Sequence, residues 1–239
     1  MTSIILSLLF NQDEFNNFIL DHKVVGFYEQ PITLKSGRTS QWYVNWRSPS
    51  ADVCLTDQVA HFILTFCQKH QIFPRTFYGV PEGATKIALI TQYKWARQSF
   101  QYGIKSHALT MGRGKPKEHG NQEDRYFLGL PRGETIVIED VTTTGDSLND
   151  AIDRLQEAQV NVIAAYGLTN RMERRDDGLS VEEALNKKGV PYFALSNALD
   201  LLPLAYQRYR PDETIARVVE QEFKRYGVKP LTLKSKMEE

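Results

Sequence analysis

Between residues 76 and 195, short apolar runs alternate with stretches of helical periodicity, and this rhythm restricts the possible folds more than any other feature of the chain. The runs fall near 76–80, 107–111, 135–141, 160–168 and 192–195. Helical stretches lie near 84–98 and 147–157, and Ser180 with Glu183 three residues later forms a capping box that opens another. The helix after Ser147 carries Leu148, Ala151, Ile152 and Leu155 on one face. Parallel neighbours in a sheet need a crossover of about a dozen residues or more, and helices of this length supply it. The expected class is therefore α/β, a parallel twisted sheet with helices on both faces. Ligands of such sheets bind at the carboxyl ends of the strands, so the loops there are the first place to look.

The segments outside that rhythm read as follows. Residues near 11–22 form a helix with Phe15, Phe18 and Ile19 on one face, and near 55–70 another places Val59, Phe62, Ile63 and Phe66 together. Between them lies a hairpin signal. Ile32 and Leu34 alternate with polar residues, the turn is Lys35-Ser-Gly-Arg-Thr-Ser40, and Trp42, Val44 and Trp46 alternate again beyond it. A last helix near 212–226 stops at Gly227. No repeat, linker or break in composition divides the 239 residues. At about 100–200 residues per domain, one domain is expected. It comprises an N-terminal hood-like hairpin and helix subregion at 1–50, an α/β core at 51–200 and a C-terminal helical extension at 201–239. The stretch Leu201-Leu-Pro-Leu204 and the last helix are read as covering the sheet or a partner subunit.

Charge and cysteine content exclude several classes. The 29 Lys and Arg balance 29 Asp and Glu, which argues against a nucleic-acid partner, a polybasic membrane binder and an acidic tail. Cys54 and Cys67 are the only cysteines and sit in no metal-ligand or redox spacing, which suits buried structural thiols and a reducing cytoplasm. The apolar stretch at 1–10 lacks a cationic flank and a small-residue cleavage site. It is also shorter than the roughly 18–20 residues that span a bilayer, so it reads as the start of a packed helix. The final residues, ending Lys-Ser-Lys-Met-Glu-Glu239, read as solvated.

The segment Thr135-Ile-Val-Ile-Glu-Asp-Val-Thr-Thr-Thr-Gly-Asp-Ser147 carries the chemistry. An apolar strand ends in two carboxylates, Glu139 and Asp140, followed by Val141 and a loop of small hydroxyl residues that opens a helix. The loop residues Thr142, Thr143, Thr144, Gly145, Asp146 and Ser147 can turn backbone N–H groups and hydroxyls on one anion, and the helix terminus adds its dipole. The carboxylates suit ribose hydroxyls beside that phosphate and can stabilise a cationic sugar. A bland strand, cap and two solvated acids would not explain why two charges close an apolar strand just before a triple threonine. No Gly-x-x-x-x-Gly-Lys-Ser/Thr or Gly-x-Gly-x-x-Gly occurs, which makes nucleoside triphosphates and dinucleotides poor candidates.

This segment resembles the phosphoribosyl diphosphate (PRPP) motif of type I phosphoribosyltransferases. Three more segments are similar to the orotate phosphoribosyltransferase family. Ile32-Thr-Leu-Lys-Ser-Gly-Arg-Thr-Ser-Gln-Trp-Tyr-Val-Asn45 looks like its N-terminal hairpin, Met111-Gly-Arg-Gly-Lys-Pro-Lys-Glu-His-Gly120 like its mobile catalytic loop, and Leu168-Thr-Asn-Arg-Met-Glu-Arg174 like its base-binding segment. The resemblance implies a type I phosphoribosyltransferase fold and transfer of the 5-phosphoribosyl group from PRPP to N1 of orotate, a reaction of pyrimidine biosynthesis. It implies that Thr142–Ser147 hold the 5′-phosphate and that Glu139 and Asp140 hold the ribose. Lys35, Arg113, Lys115, Lys117 and His119 would gather at the diphosphate, and Tyr43, Val44, Thr143 and Arg171 at orotate. Arg113, Lys117, His119 and Asp140 would be the catalytic set. Mg²⁺ is implied as a cofactor held by substrate oxygens with no protein ligand, and a homodimer is implied as the assembly, the lid of one subunit closing on its neighbour. The physics is compatible: orotate is a flat anion that suits an aromatic wall and a planar guanidinium, and Gly112, Gly114 and Gly120 permit a basic lid.

The chain also departs from the family. Where its familiar loop reads arginine-lysine-glutamate, Gly114 and Lys115 follow Arg113, so the second cation comes one residue later. In Gly79-Val-Pro-Glu-Gly-Ala-Thr-Lys-Ile-Ala88, Glu82 and Gly83 stand at the usual tyrosine and, in many members, lysine, leaving Lys86 as the expected compensating cation. Two alternatives stay open at this point: a transferase for another base, and a PRPP-sensing regulator without catalysis. Zero net charge and the absence of a helix-turn-helix signal weigh against the second.

Overall fold

The computed structural model describes residues 9–119 and 125–233. The expectations placed on residues 1–8, on Gly120 and on the last six residues lie outside them. Helix α1 (Gln12–Asp21) starts at Asn11, whose side chain accepts hydrogen bonds from the N–H groups of Asp13 and Glu14. Strands β1 (Val25–Thr33) and β2 (Thr39–Val44) pair antiparallel around the turn carrying Gly37, whose φ of 80° is left-handed. Helix α2 (Val53–His70) is capped by Asp52.

Strand β3 (Thr76–Gly79) leads to α3 (Thr85–Gln98), and β6 (Thr135–Thr142), α4 (Asp146–Glu157), β7 (Val162–Asn170), α5 (Val181–Asn186) and β8 (Tyr192–Asn197) follow the short β4 (Met111–Gly112) and β5 (Phe127–Leu128). The main sheet has the order β3-β6-β7-β8, all parallel. Alternate residues leave opposite faces, as the pleat requires. Ile136 and Ile138 of β6 with Tyr166 and Leu168 of β7 join one apolar cluster, while Val137 and Ala165 join the other. The first face is covered by α2 and by the tryptophans Trp42 and Trp46 of the hairpin region. The helices α6 (Ala198–Tyr209) and α7 (Glu213–Tyr226) complete that cover. The second face takes the predicted stripe Leu148, Ala151, Ile152 and Leu155 of α4 with Val181 and Leu185 of α5. Ser180 and Glu183 form the reciprocal capping box at α5.

Three expectations need correction. The run 107–111 adds no strand beyond β3; Gln92 donates to the Ala108 carbonyl at 2.7 Å, so a side chain takes the group a ladder would have paired. Only Met111–Gly112 is extended, paired antiparallel with Phe127–Leu128. Helix α6 falls largely within the expected helical extension and carries Pro203 inside it, where a proline ordinarily argues against a helix. Asn197 caps α6 by accepting from the N–H of Asp200, and Leu201, Leu202 and Ala205 bury its apolar side. Gly227 ends α7 without the left-handed cap: its φ of −67° and ψ of 147° are extended, and it bridges to Glu173. Finally, only Cys67 is a buried thiol, which burial pushes up to about 12; Cys54 is exposed on the first turn of α2.

Candidate active site

The carboxyl ends of β6 and β7 meet the hairpin turn, and two adjoining cavities lie between them. One, about 140 Å³, is walled by Lys35, Tyr43, Val44, Asp140, Val141, Thr143 and Arg171. The other, about 160 Å³, is walled by Lys35, Glu139, Val141, Thr143, Thr144, Gly145, Asp146 and Ser147. Lys35, Val141 and Thr143 border both, so the cavities share one wall. The Lys35 Nζ donates to Ser147 Oγ at 2.7 Å, which ties the hairpin turn to the first turn of α4.

The loop between β6 and α4 has a defined shape. Gly145 has a φ of 74° and starts α4, and a Cβ there would sit 2.9 Å from Val181 Cγ1, so both conformation and space favour glycine. Thr144 Oγ1 donates to Asp146 Oδ2 at 2.6 Å, and Arg175 Nη1 donates to Asp146 Oδ1 at 3.0 Å. Arg175 also donates to the Thr144 carbonyl, clamping the loop from behind. Thr142 is the exception among the threonines. Its hydroxyl is buried at 2.6 Å from the Tyr192 hydroxyl and its carbonyl accepts from the Arg171 N–H, so its side chain faces neither cavity.

The two acids differ in setting. Glu139 is 6% exposed, and burial, with the neighbouring Asp140 carboxylate adding to it, pushes its carboxyl well above the usual range. Asp140 is turned toward the first cavity and accepts the Val141 N–H at 3.0 Å. Behind it lies Gly83, and a Cβ on Gly83 would overlap the Asp140 carboxylate. At this departure from the family the chain puts a carboxylate where a side chain would begin.

Arg171 lines the first cavity from its floor. Its guanidinium lies 3.7 Å over the Trp42 ring and donates to Glu173, Glu222, Ser40 and the Trp42 carbonyl.

The basic loop stands apart. Its chain continues the β4–β5 ladder, with the Arg113 N–H bonded to the Tyr126 carbonyl and the Lys117 N–H to the Arg125 carbonyl, each at 2.9 Å. Lys115, Lys117 and His119 are exposed, and neither they nor Arg113 border the two cavities. Glu82 lies against this loop: a Cβ on Gly114 would be 2.7 Å from Glu82 Oε1. Lys86, the expected compensating cation, donates from its Nζ to the Ser50 carbonyl at 3.4 Å and borders neither cavity. Ser40, Glu173, Arg175 and Glu222 surround the site without having been singled out in the sequence. Arg175 had a weak signal in its place just after the base-binding segment, whereas Glu222 had none.

A recess at a helix N-terminus with a lysine beside it suits a phosphate monoester. A flat slot between Tyr43 and a guanidinium suits a planar anion, and the acidic pair between the two suits a polyhydroxyl bridge that becomes cationic. Among the described residues no group of three or more His, Cys, Asp or Glu is arranged to hold a metal ion, and no helix is long and apolar enough to cross a membrane.

No family model matches the chain. The orotate phosphoribosyltransferase of Bradyrhizobium sp. is 33% identical over 181 residues, 72% of this chain and 88% of that protein. The solved structure of orotate phosphoribosyltransferase from Francisella tularensis superposes with a TM-score of 0.64 at 20% identity, covering 90% of this chain and 99% of that one. The enzyme from Mycobacterium tuberculosis, solved in complex with PRPP, superposes with a TM-score of 0.55 at 18% identity over 80% of this chain and 98% of its own. The superpositions establish the shared fold.

Proposed function

The chain belongs to the orotate phosphoribosyltransferase family and is an enzyme of that type, and from that premise we propose a division of roles by which it moves the 5-phosphoribosyl group of PRPP to N1 of orotate. The products are orotidine 5′-phosphate and diphosphate. The single observation that carries the assignment is the wall of Lys35, Val141 and Thr143 shared by the two cavities. It brings a phosphate recess and a planar-anion slot to the two ends of one sugar.

In this reading the backbone of 143–147 and the dipole of α4 receive the 5′-phosphate, with Thr144 and Asp146 held in place by Arg175. Glu139 and Asp140 receive the ribose hydroxyls. Orotate lies between Tyr43 and Val44 on one side and Thr143 and Arg171 on the other. Lys35 takes the inner part of the diphosphate, and Arg113, Lys115, Lys117 and His119 come to its outer part when the loop closes. The C1–O bond opens ahead of N1 attack, and the adjacent carboxylates stabilise the cationic sugar while the lid cations receive the departing charge. Positioning and charge complementarity supply the rate, so no enzyme nucleophile is required.

Mg²⁺ fits as part of the substrate. Among the described residues no group of three or more His, Cys, Asp or Glu forms a protein cage for it, and the ion prefers substrate oxygens and water, where it would neutralise the diphosphate. The assembly is a homodimer. Phe100 and Ile104, 96% and 97% exposed, lie with the exposed Leu109 on the chain leading to the lid and are apolar groups that a second copy would cover. Two cysteines outside any disulfide suit the cytoplasm.

The test is the ultraviolet absorbance of orotate incubated with protein, PRPP and Mg²⁺. Loss of orotate absorbance with release of diphosphate is expected. Unchanged orotate with PRPP consumed on another base would move the assignment to a different base, and PRPP bound but never turned over would make the chain a sensor.

A further inference from the structure

Nothing assigned so far uses the chain beyond Arg175, yet the C-terminal helix contacts Arg171, a wall of the base slot. Glu222 projects from α7 and is buried. Its Oε1 accepts from Arg171 Nη2 at 3.0 Å, and its Oε2 accepts from the Ser40 hydroxyl at 2.9 Å. Ser40 in turn accepts from the same Arg171 Nη2 at 3.0 Å. Arg171 Nε donates to Glu173 at 2.7 Å and Nη1 to the Trp42 carbonyl at 3.3 Å. A guanidinium has five N–H groups, so these four bonds leave one, on Nη1, for anything in the cavity. The backbone reinforces the arrangement. The Arg174 N–H bonds the Tyr226 carbonyl at 2.7 Å, the Val228 N–H bonds the Met172 carbonyl at 2.9 Å, and Glu173 bridges to Gly227.

We propose that Glu222 is a positioning residue for the orotate slot, fixing through Arg171 and Ser40 the orientation in which the guanidinium offers its remaining N–H to the base. This rests on the assignment of that slot to orotate. Glu222 has a second effect, on charge. Arg171 is shared by two carboxylates, Glu173 and Glu222, and Glu173 is shared in turn with Arg38 at 3.1 Å. An ionised Glu222 therefore weakens the pull of Arg171 on an anion, and a neutral one strengthens it. Burial holds the Glu222 carboxyl up at about 7, against the opposing pull of Arg171 and Ser40. The groups facing it are Arg171 and Glu173 after β7, Ser40 and Trp42 of β2, Arg38 of the turn through Glu173, and Arg225 and Tyr226 of its own helix.

The experiment compares wild type, Glu222→Ala and Glu222→Gln in steady-state kinetics with each substrate varied, alongside thermal melts. Alanine removes one of the four bonds that orient the guanidinium, so the KM for orotate should rise about tenfold, the factor one charge-assisted hydrogen bond commands, while the KM for PRPP stays within about twofold. Glutamine keeps an acceptor for Nη2 and should bring the orotate KM back to within about threefold of wild type. Between about pH 6 and 8 the wild-type KM for orotate should rise as Glu222 ionises, and glutamine should flatten that rise. If the alanine variant does not fold, the glutamine pH profile decides alone. An unchanged orotate KM in folded alanine variant, a glutamine profile that keeps the wild-type rise, or both KM values moving together with the melting temperature would each overturn the proposal. Wild-type protein that leaves orotate untouched would instead refute the substrate assignment on which it stands.

Discussion

Replacing Gly83 by alanine should separate activity from stability. Gly83 does not have a positive φ, so alanine meets no backbone strain there. What it meets is the Asp140 carboxylate, all of whose terminal atoms lie inside contact distance of the new methyl group. To restore ordinary van der Waals separation the carboxylate has to retreat by about 1 Å. It would thereby give up the Val141 N–H, a bond of about 1 kcal/mol net. Against that loss, alanine for glycine at a compatible position contributes about 0.4–1 kcal/mol by restricting the unfolded chain. The two nearly cancel, and for a chain of this size the melting temperature should stay within about 4 °C of wild type. Catalysis has no such compensation. A catalytic group displaced by about 1 Å costs up to about 100-fold, so kcat/KM should fall by about 10- to 100-fold, equivalent to about 1.4–2.7 kcal/mol of barrier. Orotate absorbance and a circular-dichroism melt measure the two quantities on one preparation. Full activity at an unchanged melting temperature would refute the placement of Asp140 at the reacting sugar. A fall of more than about 8 °C would show that Gly83 is needed for packing instead.

Two further substitutions probe the acids and the lid. Burial and Asp140 raise the Glu139 carboxyl, so its contribution to stability is complete below the ordinary carboxylate range and is lost as pH rises through the raised value. Glu139→Gln should therefore melt like wild type near about pH 4 and progressively higher than wild type toward about pH 8, while kcat/KM falls at least about tenfold; a melting curve whose pH dependence matches wild type would refute the buried charge. Lys117→Ala should lower kcat at least about tenfold with a melting temperature within about 1 °C, because its only described bond is made by the backbone N–H that alanine keeps. Equal losses of activity and stability would identify the loop as part of the framework.

How far the sequence disclosed all this follows from which interactions are local. The stripe of α4, the capping box at Ser180 and the alternation through β6 and β7 are periodic signals within one element, and the sheet follows from them. The loop proposed to receive the phosphate was legible for the same reason, since strand end, loop and helix start are consecutive. The run at 107–111 misled because β-propensity describes a segment that fits a pleated surface, and here the Gln92 side chain, 16 residues away from Ala108, took the carbonyl first. Thr142 looked like its two neighbours in sequence, yet it is the last residue of β6, and the strand's alternation turns it to Tyr192. Glu222 lies 51 residues from Arg171, and no pattern along the chain relates an acid in the middle of an amphipathic helix to an arginine at a strand end.

Zero net charge conceals a division of labour between the two kinds of cation. Three arginines around the fixed half of the site are bound to protein carboxylates: Arg38 to Glu173 and Asp176, Arg171 to Glu173 and Glu222, Arg175 to Asp146 and Asp177. A planar fork suits that task because it can hold two or three partners in fixed directions, and it stays charged when buried, as Arg171 is at 1% exposure. The ammonium groups are placed differently. Lys35 reaches across the shared wall to a serine hydroxyl, and Lys115 and Lys117 are exposed on the arm that runs out from β4. A point charge on a flexible stem can follow a diphosphate as it leaves, whereas a guanidinium locked between two acids cannot. These three arginines thus spend their positive charge on geometry, and in the proposed assignment the charge that meets the leaving group comes from Lys35 and the lid. On this reasoning catalysis should depend on ionic strength through the lid, while the shape of the base slot, sealed from salt by burial, should not.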